Sequence, residues 1–310
     1  MSAPHSLDKV QIIICSYNRA MQLEALLDSI RRCWTKTPYE LAILYETNAE
    51  EYEKGYEILK SEYPEFLFIR RQKCWPLYPM HNYFNIYNLK LLYGNEKVRF
   101  QPSNVRSLIT GILKNTECKY CMFSSDDEEF LEEVDLREYF HYIDEDPANV
   151  TLALTRSSWE KPFPMFDDKV YKWTKSDYDY GKFGYRYDFD VSVMSAFEQY
   201  KLLSKIIFNN PSTQEANVGW YCYIYGGLNT GVSLKRGLAM NHRLNLVQQN
   251  FQNKAVGVPA DVLNKKLLEG YRMRYLEPQN QDGSFDYPER IKLIKKETSE
   301  EKIVAVSELV

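Results

Sequence analysis

The chain of 310 residues contains no run of about 18 apolar residues, the length a membrane-crossing helix needs. Its opening, Met1–Lys9, is polar and lacks the basic and apolar regions of a secretory signal, so the sequence reads as that of a cytoplasmic protein. Positive charge is not in excess. Lys+Arg 39 against Asp+Glu 43 leave a formal charge of −4, and no global field draws in a nucleic-acid backbone. The six cysteines (Cys15, Cys33, Cys74, Cys118, Cys121 and Cys222) are too scattered for a disulfide framework. Cys118 and Cys121 form a C-x-x-C, but no second pair stands at zinc spacing and the pair falls in an expected strand, so reduced core thiols are expected. Internal repeats and low-complexity tracts are missing. So are a dinucleotide fingerprint, a P-loop, a nucleophile elbow and a zinc-protease motif; Gly226–Gly231 is glycine-rich without the P-loop lysine and reads as a turn.

What is present in the first third alternates strand and helix. Val10–Cys15 is a β-branched run of the buried parallel kind, broken by Ser16-Tyr17-Asn18-Arg19. Met21, Leu23, Leu26, Leu27 and Ile30 then recur at helical spacing. Leu41–Tyr45 predicts a second strand closed by Glu46-Thr47-Asn48, with Asn48 as N-cap of a helix over Tyr52–Leu59, and Phe66–Ile69 a third. This order begins an α/β sheet in which ligands bind at the carboxyl ends of the strands, so Ser16–Arg19 and Glu46–Asn48 should share one crevice.

Further along, Pro76 and Pro79 mark an irregular loop, and the aromatic segment Tyr83–Tyr93 is compatible with helix. Ser103 or Asn104 can cap a helix through Leu108, Ile109 and Leu113. Tyr120–Phe123 predicts a buried strand, followed by a helix carrying Leu136, Tyr139, Phe140 and Ile143 and a strand over Val150–Leu154. Residues 157–190 read as long functional loops, Ser195–Phe208 as an amphipathic helix, and Lys292–Lys302 as an exposed tail.

The strand at Tyr120–Phe123 ends in four consecutive carboxylates, Asp126 to Glu129. Carboxylates packed so tightly repel, and a divalent cation relieves the repulsion; Mg²⁺ and Mn²⁺ prefer such oxygen ligands, usually one or two carboxylates plus substrate phosphates. A solvated acidic helix start explains the same run, with Glu128 and Glu129 favouring the positive end of the dipole. Tyrosine is abundant, with 25 residues, and many lie between Tyr171 and Tyr225. Trp220, Tyr221, Tyr223 and Tyr225 suit stacking on sugar rings, and their near-alternation equally fits a plain strand.

Val10–Arg19 with its leucine-rich helix resembles the opening of GT-A fold glycosyltransferases, particularly family-two-like ones. Phe123-Ser124-Ser125-Asp126-Asp127-Glu128 resembles their acidic metal motif, although it reads Asp-Asp-Glu where Asp-x-Asp is usual. The resemblance covers roughly residues 10–155 and more loosely continues to about 250. It implies an α/β, Rossmann-like, mostly parallel GT-A sheet flanked by helices, with an acceptor-binding C-terminal portion. Residues 1–155 would bind the nucleotide-sugar, 156–275 would supply the acceptor site and base, and 276–310 would be a charged tail. Ser16, Tyr17, Arg19, Glu46, Arg106 and Asp126 would contact the nucleotide-sugar. Mn²⁺ or Mg²⁺ would sit on Asp127 or Glu128, with His242 a late metal or phosphate ligand or simply a surface histidine. The base for an inverting transfer would be Glu215, after the Asn209-Asn210-Pro211 break, or Asp190.

The implied activity is transfer of a sugar from a nucleotide-sugar to a glycan or glycolipid acceptor, as in surface polysaccharide synthesis, without nucleic acid and with peripheral membrane contact left open. A retaining enzyme would share these features. Two other readings stand beside it: a sugar-phosphate nucleotidyltransferase, which would open with a Gly-rich basic loop in place of Ser16–Arg19, and a non-catalytic glycan-binding protein on the same fold.

Overall fold

The structure, a computed structural model, describes residues 7–73, 103–155, 169–177, 184–246, 254–278, 281–282 and 285–310. The expected Pro76/Pro79 loop and the Tyr83–Tyr93 segment lie outside the described residues.

Strand β1 (Leu7–Tyr17) explains its own composition. Ile12 and Ile14 belong to one buried core and Ile13 and Cys15 to a second on the opposite face. A strand covered on both sides has no polar face to alternate with. β1 pairs in parallel with β2 (Tyr39–Glu46) and with β4 (Cys118–Ser125), Ile13 lying between Ala42 and Phe123; β2 pairs in parallel with β3 (Leu67–Arg70). The sheet continues through β8 (Ser192–Ser195), β6 (Val150–Ala153), β9 (Thr230–Leu234) and β7 (Val170–Thr174), in the order β3-β2-β1-β4-β8-β6-β9-β7. β8 runs antiparallel to both β4 and β6, and β7 antiparallel to β9, while β6 and β9 are parallel. The expected α/β class with a mostly parallel, helix-flanked sheet is what the chain forms.

Helices α1 (Ala20–Cys33) and α2 (Glu50–Glu62) cover one face. Asn48 does not cap α2; the N-cap is Ala49, and the Asn48 amide is engaged with Asn18, whose Nδ2 donates to Asn48 Oδ1 at 2.8 Å. Helix α3 (Val105–Asn115), the short α4 (Phe140–Glu145), α5 (Ala196–Leu203) and α6 (Pro211–Tyr225) follow, with α3, α5 and α6 on the second face. Ser103 Oγ accepts from the Val105 amide at the start of α3, as a local cap would. The helix expected from Ser195 is shorter than read, because β8 takes Ser192–Ser195 and the chain turns after Leu203. Trp220–Tyr225, open to a strand reading, is the last part of α6.

A small sheet orders β12 (Gln281–Asp282), β13 (Phe285–Asp286), β10 (Ala239–His242) and β5 (Glu128–Phe130). Glu128 and Glu129 are therefore strand residues, not a helix start. Helix α7 (Ala260–Leu268) leads to a third sheet of β11 (Tyr271–Tyr275), β14 (Arg290–Lys295) and β15 (Glu301–Ala305). The segment read as an exposed tail is thus sheet. Ile291 and Leu293 face the core, and Arg274 Nη1 donates to the buried Glu24 of α1 at 2.7 Å. Among the described residues no helix is long and apolar enough to cross a membrane.

Candidate active site

The carboxyl ends of β1, β2 and β4 meet as the parallel register requires, and their polar residues interlock. Ser16 Oγ donates to Asp126 Oδ2 at 2.7 Å, and the Tyr17 amide reaches the same oxygen at 3.3 Å. Arg19 Nη1 spans Asp126 Oδ1 at 2.8 Å and Asp127 Oδ2 at 3.0 Å, while Nη2 donates to Asn245 O. All of these side chains are buried. Burial pushes the Asp126 carboxyl up and the Arg19 charge pulls it back, leaving it raised. Glu46, half-buried at the end of β2, lies 3.6 Å from the guanidinium of Arg71. Arg71, just beyond β3, also donates to Ser16 O at 3.2 Å, and its buried Nε has no partner. Sequence reading did not single out Arg71; its place, one residue beyond the third strand, was the available signal.

Arg106, expected toward a diphosphate, bonds to two backbone carbonyls beyond α5. Its Nε donates to Ile206 O at 2.8 Å and its Nη2 to Ser204 O at 2.6 Å, tying α3 to the turn between α5 and α6.

The small sheet sorts the second group of carboxylates by face. Asn241 is in register with Glu128 on one side and Phe285 on the other, so these three share a face. Asn241 Nδ2 donates to Glu128 Oε1 at 2.8 Å and to Asp127 Oδ1 at 3.1 Å. Glu128 is fully buried with Oε2 unpartnered. Burial, then Asp190 and Asp127, push its carboxyl well above the usual range. His242 points to the other face. It is 0% exposed, its Nδ1 lies 3.1 Å from Asp286, its Nε2 lies 3.0 Å from Glu129, and its ring stacks on Tyr275 at 3.7 Å. Burial alone would lower its pKa, but the two carboxylates outweigh it and leave it raised. His242 is therefore neither a surface histidine nor placed to join Asp127 and Glu128 as a ligand. Its backbone contributes: the amide donates to Asp127 O at 2.8 Å and fixes the turn.

A third group comes from the chain before β8 and from α6. Asp190 accepts from Ser125 Oγ at 2.9 Å, and its amide donates to Asp188 Oδ1 at 3.1 Å. Burial, then Asp188 and Asp127, push Asp190 up to about 7. Val191 follows with φ 53°, a strained backbone for a β-branched residue, held by its amide bond to Phe123 O at 2.9 Å. Glu215 stands one turn into α6, whose start is strongly specified. Pro211 occupies the first turn, Asn210 Oδ1 accepts from the Thr213 amide at 2.8 Å, and Thr213 Oγ1 accepts in return from the Asn210 amide at 3.1 Å. Glu215 accepts from Tyr185 and from the Phe189 amide, yet burial with Asp188 and Asp190 raises its carboxyl well above the ordinary value. Beneath this group lies the buried Lys175, which sequence reading missed inside an aperiodic segment. Its Nζ donates to Thr151 Oγ1 at 2.8 Å and to Arg186 O at 3.1 Å, and burial lowers its pKa to about 7.

Ser16, Tyr17, Arg19 and Asp126 thus meet directly, Glu46 lies near them through Arg71, and Asp127 and Glu128 join the field of Asp190 and Glu215. Arg106 and His242 stand apart. Asp188, Lys175, Arg71 and Asn241 are the additions. Among the described residues no three His, Cys, Asp or Glu side chains converge to hold a metal ion as they stand. The unpartnered Glu128 Oε2 beside Asp127 fits the looser arrangement in which substrate phosphates supply the remaining ligands. The outer side of α6 exposes Trp220, Tyr223 and Tyr225.

The molecule is thus a helix-flanked, mostly parallel α/β sheet with a cluster of carboxylates beyond the ends of β1 and β4. No protein-family model matches the chain, and no curated protein matches its sequence. Solved structures do match. The crystal structure of S. aureus TarS 1-349 aligns with a TM-score of 0.43 at 14% identity, covering 74% of this chain and 59% of that one. Its complex with UDP-GlcNAc aligns with a TM-score of 0.43 at 12% identity, covering 84% and 65%. This chain therefore spans less than two thirds of either structure.

Proposed function

We infer that the protein is a nucleotide-sugar-dependent glycosyltransferase acting on a glycan or glycolipid hydroxyl. The observation that carries this reading is the grouping of Asp127 and Glu128, Asp188 and Asp190, and Glu215 within electrostatic reach of one another. They come from three separated stretches of chain, and the group adjoins the Ser16–Asp126–Arg19 cluster at the ligand end of the sheet. The strand order and the resemblance of the Val10–Arg19 and Phe123–Glu128 motifs support it. Residues 1–155 form the donor half in this reading, and 156–275 the acceptor half.

Glu46 and Arg71 flank the pocket for base and ribose, and Ser16, Tyr17 and Arg19 hold Asp126 toward the ribose. Asp127 and Glu128 would hold Mn²⁺ or Mg²⁺, which when bound supplies charge stabilisation to the departing diphosphate. The acceptor hydroxyl attacks the anomeric carbon, the bond from that carbon to the diphosphate oxygen breaks, and the hydroxyl proton passes to Glu215. The nucleoside diphosphate leaves and configuration inverts. Burial and neighbouring carboxylates raise the basicity of Glu215 toward the working pH, as a general base requires. Asp190, raised for the same reasons, is the second choice for that role.

A thermal-shift screen of nucleoside diphosphates and nucleotide-sugars, each with Mn²⁺, Mg²⁺ or EDTA, tests the reading. A ligand at a hundredfold excess over its Kd adds about 2.7 kcal/mol, a shift of several degrees in a domain of this size. A metal-dependent shift with one nucleotide is expected. Shifts with glycans alone, indifferent to metal and nucleotide, would replace the enzyme with a glycan-binding protein using the exposed aromatics of α6. Pyrophosphate release from a nucleoside triphosphate would replace it with a nucleotidyltransferase.

A further inference from the structure

The face of the small sheet that carries Glu128, Asn241 and Phe285 also carries Arg243, two residues beyond Asn241 and just past the end of β10. The Arg243 guanidinium lies 3.6 Å over the Phe285 ring. Its backbone is pinned on both sides, the amide donating to Asp286 O at 2.9 Å and the carbonyl accepting from the Val256 amide at 2.9 Å. The side chain is half-buried. Its charge favours the ionised form of Asp190, which puts the guanidinium within electrostatic reach of that carboxyl.

Among the described residues no carboxylate pairs with this guanidinium. That is unusual in a cluster holding Asp127, Glu128, Asp188, Asp190 and Glu215. Arg19, by contrast, pairs with Asp126 and Asp127, and Arg71 donates to Ser16 O and lies near Glu46. A guanidinium stacked flat on an aromatic ring keeps its edge free, and that edge is a planar fork matched to two oxygens of a phosphate or carboxylate. The Phe285 ring thus seats the guanidinium without engaging its N–H groups.

Resting on the reading of this cluster as a site for a sugar-transfer substrate, we propose that Arg243, with Phe285 as its platform, is the oxyanion-recognition residue of the cluster and seats a phosphate or carboxylate group of a substrate. Two sources share that chemistry: the diphosphate of the donor, and an acidic group on the acceptor.

Calorimetric titration of the wild type, Arg243→Met, Arg243→Lys and Phe285→Leu distinguishes them. The probes are UDP and pyrophosphate against uridine, and glucose 6-phosphate and glucuronate against glucose. Arg243→Met should weaken at least one anionic probe by about tenfold or more, the scale of charge-assisted hydrogen bonds. Its neutral counterpart should be unchanged. Arg243→Lys should recover part of the affinity, and Phe285→Leu should lose part while keeping the charge. Loss with UDP and pyrophosphate assigns the donor diphosphate; loss confined to the sugar acids assigns the acceptor. Equal loss for charged and neutral probes, no loss for any, or no anion binding by the wild type would each overturn the proposal and leave Arg243 a packing partner of Phe285. Wild-type nucleotide binding with none of the anionic probes weakened by Arg243→Met would defeat this proposal alone. Arg243-dependent binding of sugar acids without any nucleotide binding would defeat the glycosyltransferase reading alone.

Discussion

Replacing Lys175 with Met should change how stability depends on pH, and the expected change follows from the burial of one ammonium group. Lys175 follows β7 directly and is buried, with its Nζ on Thr151 Oγ1 and Arg186 O. Burial lowers its pKa from 10.5 to about 7, against the opposing pull of Asp188. Below pH 7 folded and unfolded chains both carry the proton, and stability is flat with respect to this group. Between pH 7 and 10.5 the unfolded chain binds the proton and the folded chain does not, so stability rises with pH by at most about 1.4 kcal/mol per unit. The stabilising contribution is complete above the unfolded pKa and is lost as pH falls through the folded one. Urea unfolding of wild type and Lys175→Met at intervals from pH 6 to 9 measures it. The wild type should gain on the variant by up to about 2.7 kcal/mol between pH 7 and 9, and not at all between pH 6 and 6.5. Asp188 would lose a cation in the variant and shift as well, so the comparison is repeated with Asp188→Asn in both chains. Parallel curves in both backgrounds would refute the reasoning and mean that Lys175 stays charged against a partner carboxylate.

Glu215→Gln should leave donor binding intact and slow transfer by about 10²–10⁴-fold, the usual contribution of a general base; near-normal turnover in a nucleoside-diphosphate release assay would remove it from that role. Asp127→Asn combined with Glu128→Gln should abolish the difference between Mn²⁺ and EDTA in the donor-induced thermal shift, and an unaltered difference would place the ion elsewhere. His242→Phe should destabilise the protein measurably in urea unfolding by removing the ring whose two nitrogens lie against Asp286 and Glu129. Wild-type stability of that variant would contradict the buried carboxylate–histidine–carboxylate arrangement.

The parts of the molecule legible in the sequence are those where one local pattern admits one environment. Val10–Cys15 has no polar face, so it had to be a central strand, and central parallel strands place their carboxyl ends at a ligand site. That placed Ser16–Arg19 at the ligand end of the sheet, while the roles expected of Ser16, Arg19 and Asp126 came from the resemblance of the two motifs. Asn209-Asn210-Pro211 was legible as a break in the chain before Glu215, but not as the start of α6, whose Trp220–Tyr225 end fits strand alternation equally well. Other parts needed tertiary information. Glu128-Glu129 favours a helix start locally, yet pairing with β10 makes it a strand, and only that register separates Glu128 from Glu129 and assigns His242 to the far face. β8 escaped because Ser192–Ser195 is too short for its period to be read before a helix. The third sheet did leave a signal: Ile291 and Leu293 alternate with charged residues in Arg290–Lys295, a half-buried strand pattern obscured by the surrounding lysines.

Charge also explains why so much of the site is buried and strained. Asp190 held up to about 7 stabilises the fold fully only below its unfolded value of 3.8, and that contribution is lost as pH rises through 7. Glu128, Asp188 and Glu215, raised in the same direction, act the same way. Near neutral pH these carboxyls therefore work against the fold, and Val191 at φ 53° adds backbone strain beside Asp190. A fold selected only for stability would neutralise such a cluster by substitution. Here Arg19 offsets part of it, while among the described residues Glu128 Oε2 has no hydrogen-bond partner and the Arg243 guanidinium, over the Phe285 ring, pairs with no carboxylate. A ligand that carries both a cation for the carboxylates and an oxyanion for the arginine would satisfy both at once. A metal-complexed phosphate ester is such a ligand, and its binding should stabilise the protein more than either the metal or the nucleotide alone.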